Sequence, residues 1–131
     1  MERELEDAGL GRGHFSGRAE FAADGDGLRW IETGRMTIGA YDGPARRELR
    51  VVRDDDGWAV RFADGRPFHR LDLREGRAAL EHPCGDDRYR GELTVRGPDA
   101  FVVAWTVTGP GKAQRLSARY ERAEAGVAPA A

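Results

Sequence analysis

Apolar and polar side chains alternate with a period of two along most of this chain, and short turns rich in glycine interrupt the alternation. Trp58, Val60 and Phe62, for example, form one apolar face between turns at residues 54–57 and 64–67. A period of two is the signature of a half-buried β-strand, since successive side chains point to opposite faces. The pattern predicts about nine short strands between residues 14 and 122, with no helix between them.

The shortness of the turns restricts how these strands pair. Parallel neighbours need a crossover of a dozen or more residues, so we expect antiparallel pairing in an up-and-down meander. A long meander with one apolar face most simply closes into a barrel, because closure removes unpaired edges. A two-sheet sandwich is the alternative, but its Greek-key connections usually need longer loops. We therefore predict an all-β fold, an antiparallel meander closed into a barrel.

The two ends of the chain lack this alternation. Residues 1–9 are expected to form a short helical turn, with Leu5 and Ala8 three apart, before glycines in 9–13 break it. The alanine-rich tail has no periodic apolar face, which is typical of a disordered end. The predicted organisation is an N-terminal segment (1–13), a β-barrel domain (14–122) and a disordered tail (123–131).

Composition excludes several classes of protein. The chain has 131 residues, which predicts one domain, and its 21 basic and 23 acidic side chains give no electrostatic case for nucleic acid or an anionic membrane. It contains neither a membrane-length apolar run nor the apolar core of a secretion signal. Its single cysteine, Cys84, suits a reducing compartment. We expect a cytoplasmic protein whose partner is a small molecule, and the oligomeric state stays open.

Polar side chains in the inward register are the most informative feature. By alternation they are Glu32, Arg47, Asp64, His69, His82, Asp87, Tyr89 and Tyr120. A buried charge without a partner is costly, so such groups must pair with each other or face a ligand. In a meander, alternate turns lie at opposite ends of the barrel. The turns at 39–44, 64–67, 83–86 and 109–111 therefore share one end, and we expect a site there formed by Arg47, His69, His82, Asp87, Tyr89 and Lys112.

The leading functional hypothesis is binding of one small, partly apolar, anionic molecule inside the barrel. Arg47 and Lys112 would hold the anion. Apolar contact would come from Trp30, Trp58, Phe62 and Trp105. Glu32 is a further candidate, although it has an equally simple role as the ion-pair partner of Arg47. Asp87 is likewise either a ligand-binding group or a cap for the turn after Cys84.

Two other classes of function use the same residues. A small barrel enzyme (an isomerase, cyclase or lyase) would take His69 or His82 as base and Tyr89 as acid, with Arg47 or Lys112 stabilising an oxyanion. A structural or interaction module would use these groups only to fasten loops. We expect no metal site, because the histidines and Cys84 match no zinc spacing, and no cofactor, with haem bound by a histidine as the alternative.

Three motifs carry a resemblance to a known family. They read F-x-D-G-R-x-F-H at residues 62–69, H-x-C-x-x-D-x-Y-x-G at 82–91 and W-x-V-x-G-P-x-K at 105–112. In this order they resemble a bacterial family known only as a domain of unknown function, over residues 14–122. The resemblance implies a small calycin-like barrel, similar in style to lipocalins and fatty-acid-binding proteins, and it implies no reaction.

Overall fold

A computed structural model describes residues 1–123 as a single antiparallel sheet. It contains the strands β1 (Glu2–Asp7), β2 (Gly11–Asp24), β3 (Gly27–Ile38), β4 (Tyr41–Asp54), β5 (Gly57–Phe62), β6 (Pro67–Arg70), β7 (Arg77–Cys84), β8 (Asp87–Val95), β9 (Ala100–Gly109) and β10 (Lys112–Glu121). No helix occurs in this part of the chain, and so none that could cross a membrane. The predicted all-β class is confirmed.

The sheet curls into a nearly closed barrel. Its strand order is β6-β5-β4-β3-β2-β1-β10-β9-β8-β7, so neighbours in sequence pair as hairpins and the first strand pairs with the last. The seam lies between β6 and β7, where a side-chain bond replaces the backbone ladder: His82 Nδ1 donates to the carbonyl oxygen of Phe68 at 2.9 Å. The predicted antiparallel meander and barrel are confirmed, with ten strands instead of about nine.

The expected N-terminal helical turn is wrong, because these residues form β1. Arg3 and Leu5 are buried while Glu4 and Glu6 are exposed, which is the alternation of a strand. β1 fills the gap between β2 and β10, and pairing with both satisfies backbone groups that a helical turn would leave open. The predicted disordered tail lies, from residue 124 onward, outside the described residues.

The barrel has two ends with different turns. We call the end that holds the β2–β3, β4–β5, β6–β7 and β8–β9 connections end A, and the end that holds the other five hairpin turns end B. Inward side chains from all parts of the sheet form one core between these ends, including Leu49, Val60, Leu80 and Val107, each at most 1% exposed. The ends differ in what lies beyond that core.

Candidate functional site

A buried carboxylate lies at the centre of the barrel. Glu32 on β3 is 1% exposed, and both of its oxygens accept hydrogen bonds. Oε1 accepts from Arg3 Nη2 at 2.7 Å and from Arg47 Nε at 3.1 Å, with Arg47 Nη2 3.0 Å away in the same ion pair, while Oε2 accepts from Trp30 Nε1 at 3.1 Å and from the Tyr120 hydroxyl. Glu32 thus forms the internal ion pair with Arg47 and has no free oxygen for a ligand.

The charges in this network can be assigned. Burial raises the pKa of Glu32. The charges of Arg47 and Arg3 and the hydrogen bonds from Tyr120 and Arg3 lower this pKa by a larger amount, so the pKa of Glu32 lies below its ordinary value. Burial and the charge of Glu32 raise the pKa of Tyr120, so the phenol stays neutral and donates. Two guanidinium groups therefore share one carboxylate, and the network keeps an excess positive charge.

Sequence reasoning missed Arg3 as a member of this network. The signal was present, because Arg3 and Leu5 alternate with Glu2, Glu4 and Glu6, but the three-residue spacing of Leu5 and Ala8 favoured a helical turn. Arg3 reaches Glu32 because β1 places it opposite Phe15 of β2, with its guanidinium 5.4 Å from the centre of that ring. The N-terminal strand thus completes the core of the barrel.

Toward end A the barrel holds a large cavity of about 960 Å³, which we call the apolar cavity. Its wall includes Leu28, Trp30, Val51, Trp58, Leu71 and Phe101. The charged side chains that line it are Asp26, Asp99, Glu121 and Arg122, and Arg122 Nε already donates to Asp99 at 3.1 Å. The apolar cavity therefore combines a hydrophobic wall with a rim in which carboxylates outnumber cations.

An aromatic layer forms the floor of the apolar cavity. Trp30, Phe101 and Tyr120 contact one another, with ring centroids 6.1 Å apart for Trp30 and Phe101, 5.7 Å for Trp30 and Tyr120, and 4.3 Å for the stacked Phe101 and Tyr120. Glu32 engages the indole nitrogen and the hydroxyl of this layer. The surface that this floor presents to the cavity therefore consists of ring carbon atoms, because its hydrogen-bonding groups are already paired with Glu32.

A second, smaller space shares Trp30, Leu93 and Tyr120 with the apolar cavity. It measures about 100 Å³ and is lined by Arg3, Arg47, His69 and Tyr89 together with apolar groups such as Trp105, and we call it the polar pocket. The side chain of Arg47 is 40% exposed, whereas that of Arg3 is 10% exposed. The positive network described above thus borders the polar pocket directly.

The two histidines of the seam have defined hydrogen-bond partners. His69 Nδ1 lies 2.8 Å from the carbonyl oxygen of Arg70, and His82 Nδ1 faces the carbonyl of Phe68. A carbonyl oxygen only accepts, so each Nδ1 carries the hydrogen, and Nε2 of the neutral ring is an acceptor. Burial lowers the pKa of His69, and the nearby charges of Arg47 and His82 lower it as well. The hydrogen bond to the Arg70 carbonyl raises this pKa by less, so the net effect is a decrease. His69 is therefore neutral near pH 7.

The tautomers can be measured. We expect both His69 and His82 to be protonated at Nδ1 at neutral pH, because the carbonyl partners hold that hydrogen in place. Long-range ¹H–¹⁵N correlation spectra of the imidazole rings distinguish the two tautomers. His14 serves as the comparison ring in the same spectra, because both of its ring nitrogens face carboxylates, those of Glu2 and Glu4, and neither faces a backbone carbonyl. A neutral ring with its hydrogen on Nε2 and none on Nδ1 at either seam histidine would contradict the structure.

Comparison with known proteins gives one match. A family model described as "Family of unknown function (DUF6314)" matches residues 1–122. The chain belongs to this family. The match includes β1, so the strand that carries Arg3 is part of the DUF6314 domain. No curated protein and no solved structure matches the chain.

The end-B residues predicted from the sequence do come together in this DUF6314 member. His69, His82 and Phe62 all contact Phe68, with ring centroids 4.7 to 5.2 Å apart, and Phe68 itself was not predicted. Phe68 also stacks on Trp105 at 5.3 Å. These rings form one aromatic cluster across the seam.

Tyr89 and Lys112 extend this cluster toward end B. The ring of Tyr89 lies 5.4 Å from that of His82, and its hydroxyl accepts from Lys112 Nζ at 2.7 Å. That hydrogen bond raises the pKa of Lys112, and the charge of Asp87 adds to the increase. The cation of Lys112 is therefore held by a phenol with a carboxylate nearby.

The sequence had suggested that the three tryptophans of this DUF6314 barrel contact one ligand together, but the structure places them on different walls. Trp58 is 40% exposed and lines the apolar cavity at end A, whereas Trp105 lines the polar pocket. Trp30 lies between the two. Across residues 1–123, no three His, Cys, Asp or Glu side chains are grouped closely enough to hold a metal ion. The single predicted site is thus divided into two compartments.

Proposed function

We propose that this protein binds a small, neutral, predominantly apolar molecule in the apolar cavity. The observation that carries the proposal is the cavity itself, about 960 Å³ bounded by side chains such as Leu28, Val51 and Trp58. Small-molecule sites are typically concave, largely apolar and about 300–1,000 Å³ in volume. Water in contact with such a wall is displaced favourably by an apolar ligand, at about 25 cal/mol per Å² of apolar surface.

The rim of the cavity supports the same proposal. Large apolar side chains that are 38–44% exposed surround the opening, namely Phe21, Leu28, Trp58, Leu73 and Val95. Contiguous exposed apolar surface marks binding sites in soluble proteins. Five such groups around one cavity therefore favour entry of a ligand at end A.

The charges around the cavity favour a neutral ligand over the anion expected from the sequence. Asp26, Asp99 and Glu121 lie at the rim, and the only guanidinium among the described lining residues, Arg122, pairs with Asp99. A ligand carboxylate placed there would face three carboxylates, while the Arg122 guanidinium and the Met1 ammonium already donate to Asp99 and to the carbonyl oxygen of Gly17. We therefore expect any polar group of the ligand to lie near the rim and to be neutral, such as a hydroxyl or an amide.

The proposal is tested with the neutral fluorescent probe N-phenyl-1-naphthylamine. We expect its fluorescence to rise on saturable binding, and Trp58→Ala to raise the dissociation constant about five- to thirtyfold, because the change removes a large part of the apolar wall. Tyr41→Ala is the matched control, since Tyr41 is also aromatic and 50% exposed but is not a lining residue of this cavity. Equal affinities of the two variants would overturn the proposal.

Charge preference gives a second arm of this experiment. We expect 1-decanol to displace the probe at concentrations about tenfold lower than decanoate, because decanoate brings a negative charge to the acidic rim. The two competitors have chains of the same length. Stronger displacement by decanoate would contradict a neutral ligand.

A further inference from the structure

We propose that the polar pocket is a second binding site, separate from the apolar cavity, for a small 2-hydroxycarboxylate. Its carboxylate would bind Arg3 and Arg47, and its hydroxyl would donate to His69. The proposal is independent of what the apolar cavity binds. It gives a role to the charged and polar side chains that line this space of about 100 Å³ among its apolar residues, above all Arg3, Arg47 and His69.

The charge balance of the pocket calls for an anion. Glu32 Oε1 accepts from Arg3 Nη2 and from Arg47 Nε, and Glu32 is the only carboxylate that these two guanidinium groups contact within residues 1–123. A guanidinium carries five N–H donors, so the two groups keep donors that Glu32 and Tyr120 do not use. An excess charge in a partly buried place is costly without a counter-ion. A carboxylate in the pocket supplies that counter-ion.

His69 adds an acceptor to the wall of the same pocket. Its Nδ1 is held by the carbonyl of Arg70, and its Nε2 has no hydrogen-bond partner among the described residues. The ring lines the pocket and is 9% exposed. A simple carboxylate has no hydrogen to offer such a nitrogen, whereas a hydroxyl on the neighbouring carbon does. The donors and the acceptor together therefore match a hydroxyl adjacent to a carboxylate.

The size of the pocket limits the ligand to a few heavy atoms. Its volume equals that of about three water molecules in the liquid. Phe68, Leu80 and Trp105 complete the wall and leave room for hydrogen or a short alkyl group on the ligand. Glycolate is therefore the probe we choose, with acetate as its partner that lacks the hydroxyl.

The three tryptophans make the two sites distinguishable in one ¹H–¹⁵N NMR experiment. The indole N–H of Trp105 reports on the polar pocket and that of Trp58 on the apolar cavity. We expect glycolate to shift the Trp105 signal saturably and to leave Trp58 unchanged, and acetate to bind about three- to tenfold more weakly for want of one hydrogen bond. No saturable shift at Trp105, or acetate binding as tightly as glycolate, would overturn the proposal.

Variants locate the anion. Arg47→Gln is expected to weaken glycolate binding about tenfold or more, while Arg46→Gln, one residue earlier on the exposed outer face of β4, leaves it unchanged. His69→Ala is expected to abolish the preference for glycolate over acetate. If Arg46→Gln and Arg47→Gln weakened glycolate binding equally, the binding would depend only on the overall charge of the protein, and the proposed site would be overturned. Binding of N-phenyl-1-naphthylamine, followed at Trp58, tests the apolar cavity separately in the same samples.

Discussion

Replacing Glu32 by glutamine is expected to lower the free energy of unfolding by about 3–5 kcal/mol. Glu32 is 1% exposed and is the shared partner of Arg3 and Arg47, so its removal leaves two guanidinium groups without their counter-charge inside the barrel. The amide would also turn a donor toward groups that donate, among them the Tyr120 hydroxyl. Urea unfolding followed by tryptophan fluorescence measures the loss as a lower midpoint at unchanged slope.

Glu48→Gln provides the matched control on the same pair of strands. Glu48 accepts from Arg29 Nη2 at 2.5 Å on the outer face of the barrel, where solvent screens the pair. Its removal is expected to cost less than about 1 kcal/mol. A loss for Glu32→Gln as small as that for Glu48→Gln would contradict a buried, structurally essential carboxylate.

Glu32→Gln is also expected to change how the stability of the protein depends on pH. Burial raises the pKa of Glu32, but the charges of Arg47 and Arg3 and the hydrogen bonds from Tyr120 and Arg3 together bring it below the ordinary 4.5 of the unfolded chain. Its ionised form therefore stabilises the fold fully above that ordinary value, and this stabilisation is lost as pH falls through the lowered pKa. Urea midpoints measured against pH should fall less steeply in acid for Glu32→Gln than for the natural sequence. Equal slopes would exclude Glu32 as a source of acid sensitivity.

Gly34→Ala is expected to destabilise the barrel by about 2–3 kcal/mol. Gly34 on β3 pairs with Gly17 on β2, and both lie in the inward register. A Cβ at Gly34 would lie 2.7 Å from the Cα of Gly17 and 2.8 Å from the ring of Phe15, and closer still to the backbone oxygen of Ser16. The backbone atoms have to separate to admit it, which opens the β2–β3 ladder. Thermal and urea unfolding measure the loss.

Gly111→Ala is the control for this glycine. A Cβ at Gly111 meets nothing within 4 Å, and its backbone is not in the left-handed region. Alanine at such a compatible position changes stability by less than about 1 kcal/mol and tends to increase it, because it restricts the unfolded chain. If Gly34→Ala and Gly111→Ala were equally stable, the close approach of β2 and β3 at Gly17 and Gly34 would be refuted.

The alternation of side chains was sufficient to predict most of this fold. Most of the strands carry a period-two apolar face of their own, and their short turns left antiparallel hairpins as the simplest connection. β1 was missed because its local signal is weak: Arg3 and Leu5 alternate with glutamates, but Leu5 is the one apolar residue among the six. One of its two partners, β10, lies more than one hundred residues away, as in the pairing of Leu5 with Leu116, so the sequence around β1 does not reveal that pairing.

The candidate site was predictable in its parts but not in its division. Register alone placed Glu32, Arg47 and Tyr120 inside the barrel, where the structure has them. Their contacts depend on Arg3, which arrives from the strand that sequence reasoning did not predict. The location of the apolar cavity depends on how large side chains from different strands meet across the interior, as Trp30, Phe101 and Tyr120 do. Periodicity carries no information about such contacts.

NMR of the complex with N-phenyl-1-naphthylamine shows where a neutral molecule binds in the barrel. Isotope-filtered nuclear Overhauser spectra report which methyl groups lie beside the bound probe. We expect contacts to the methyl groups of Leu28, Val51 and Leu71, which line the apolar cavity. Contacts confined to Leu80 and Leu116 of the polar pocket, or to the exposed Leu10, would contradict it.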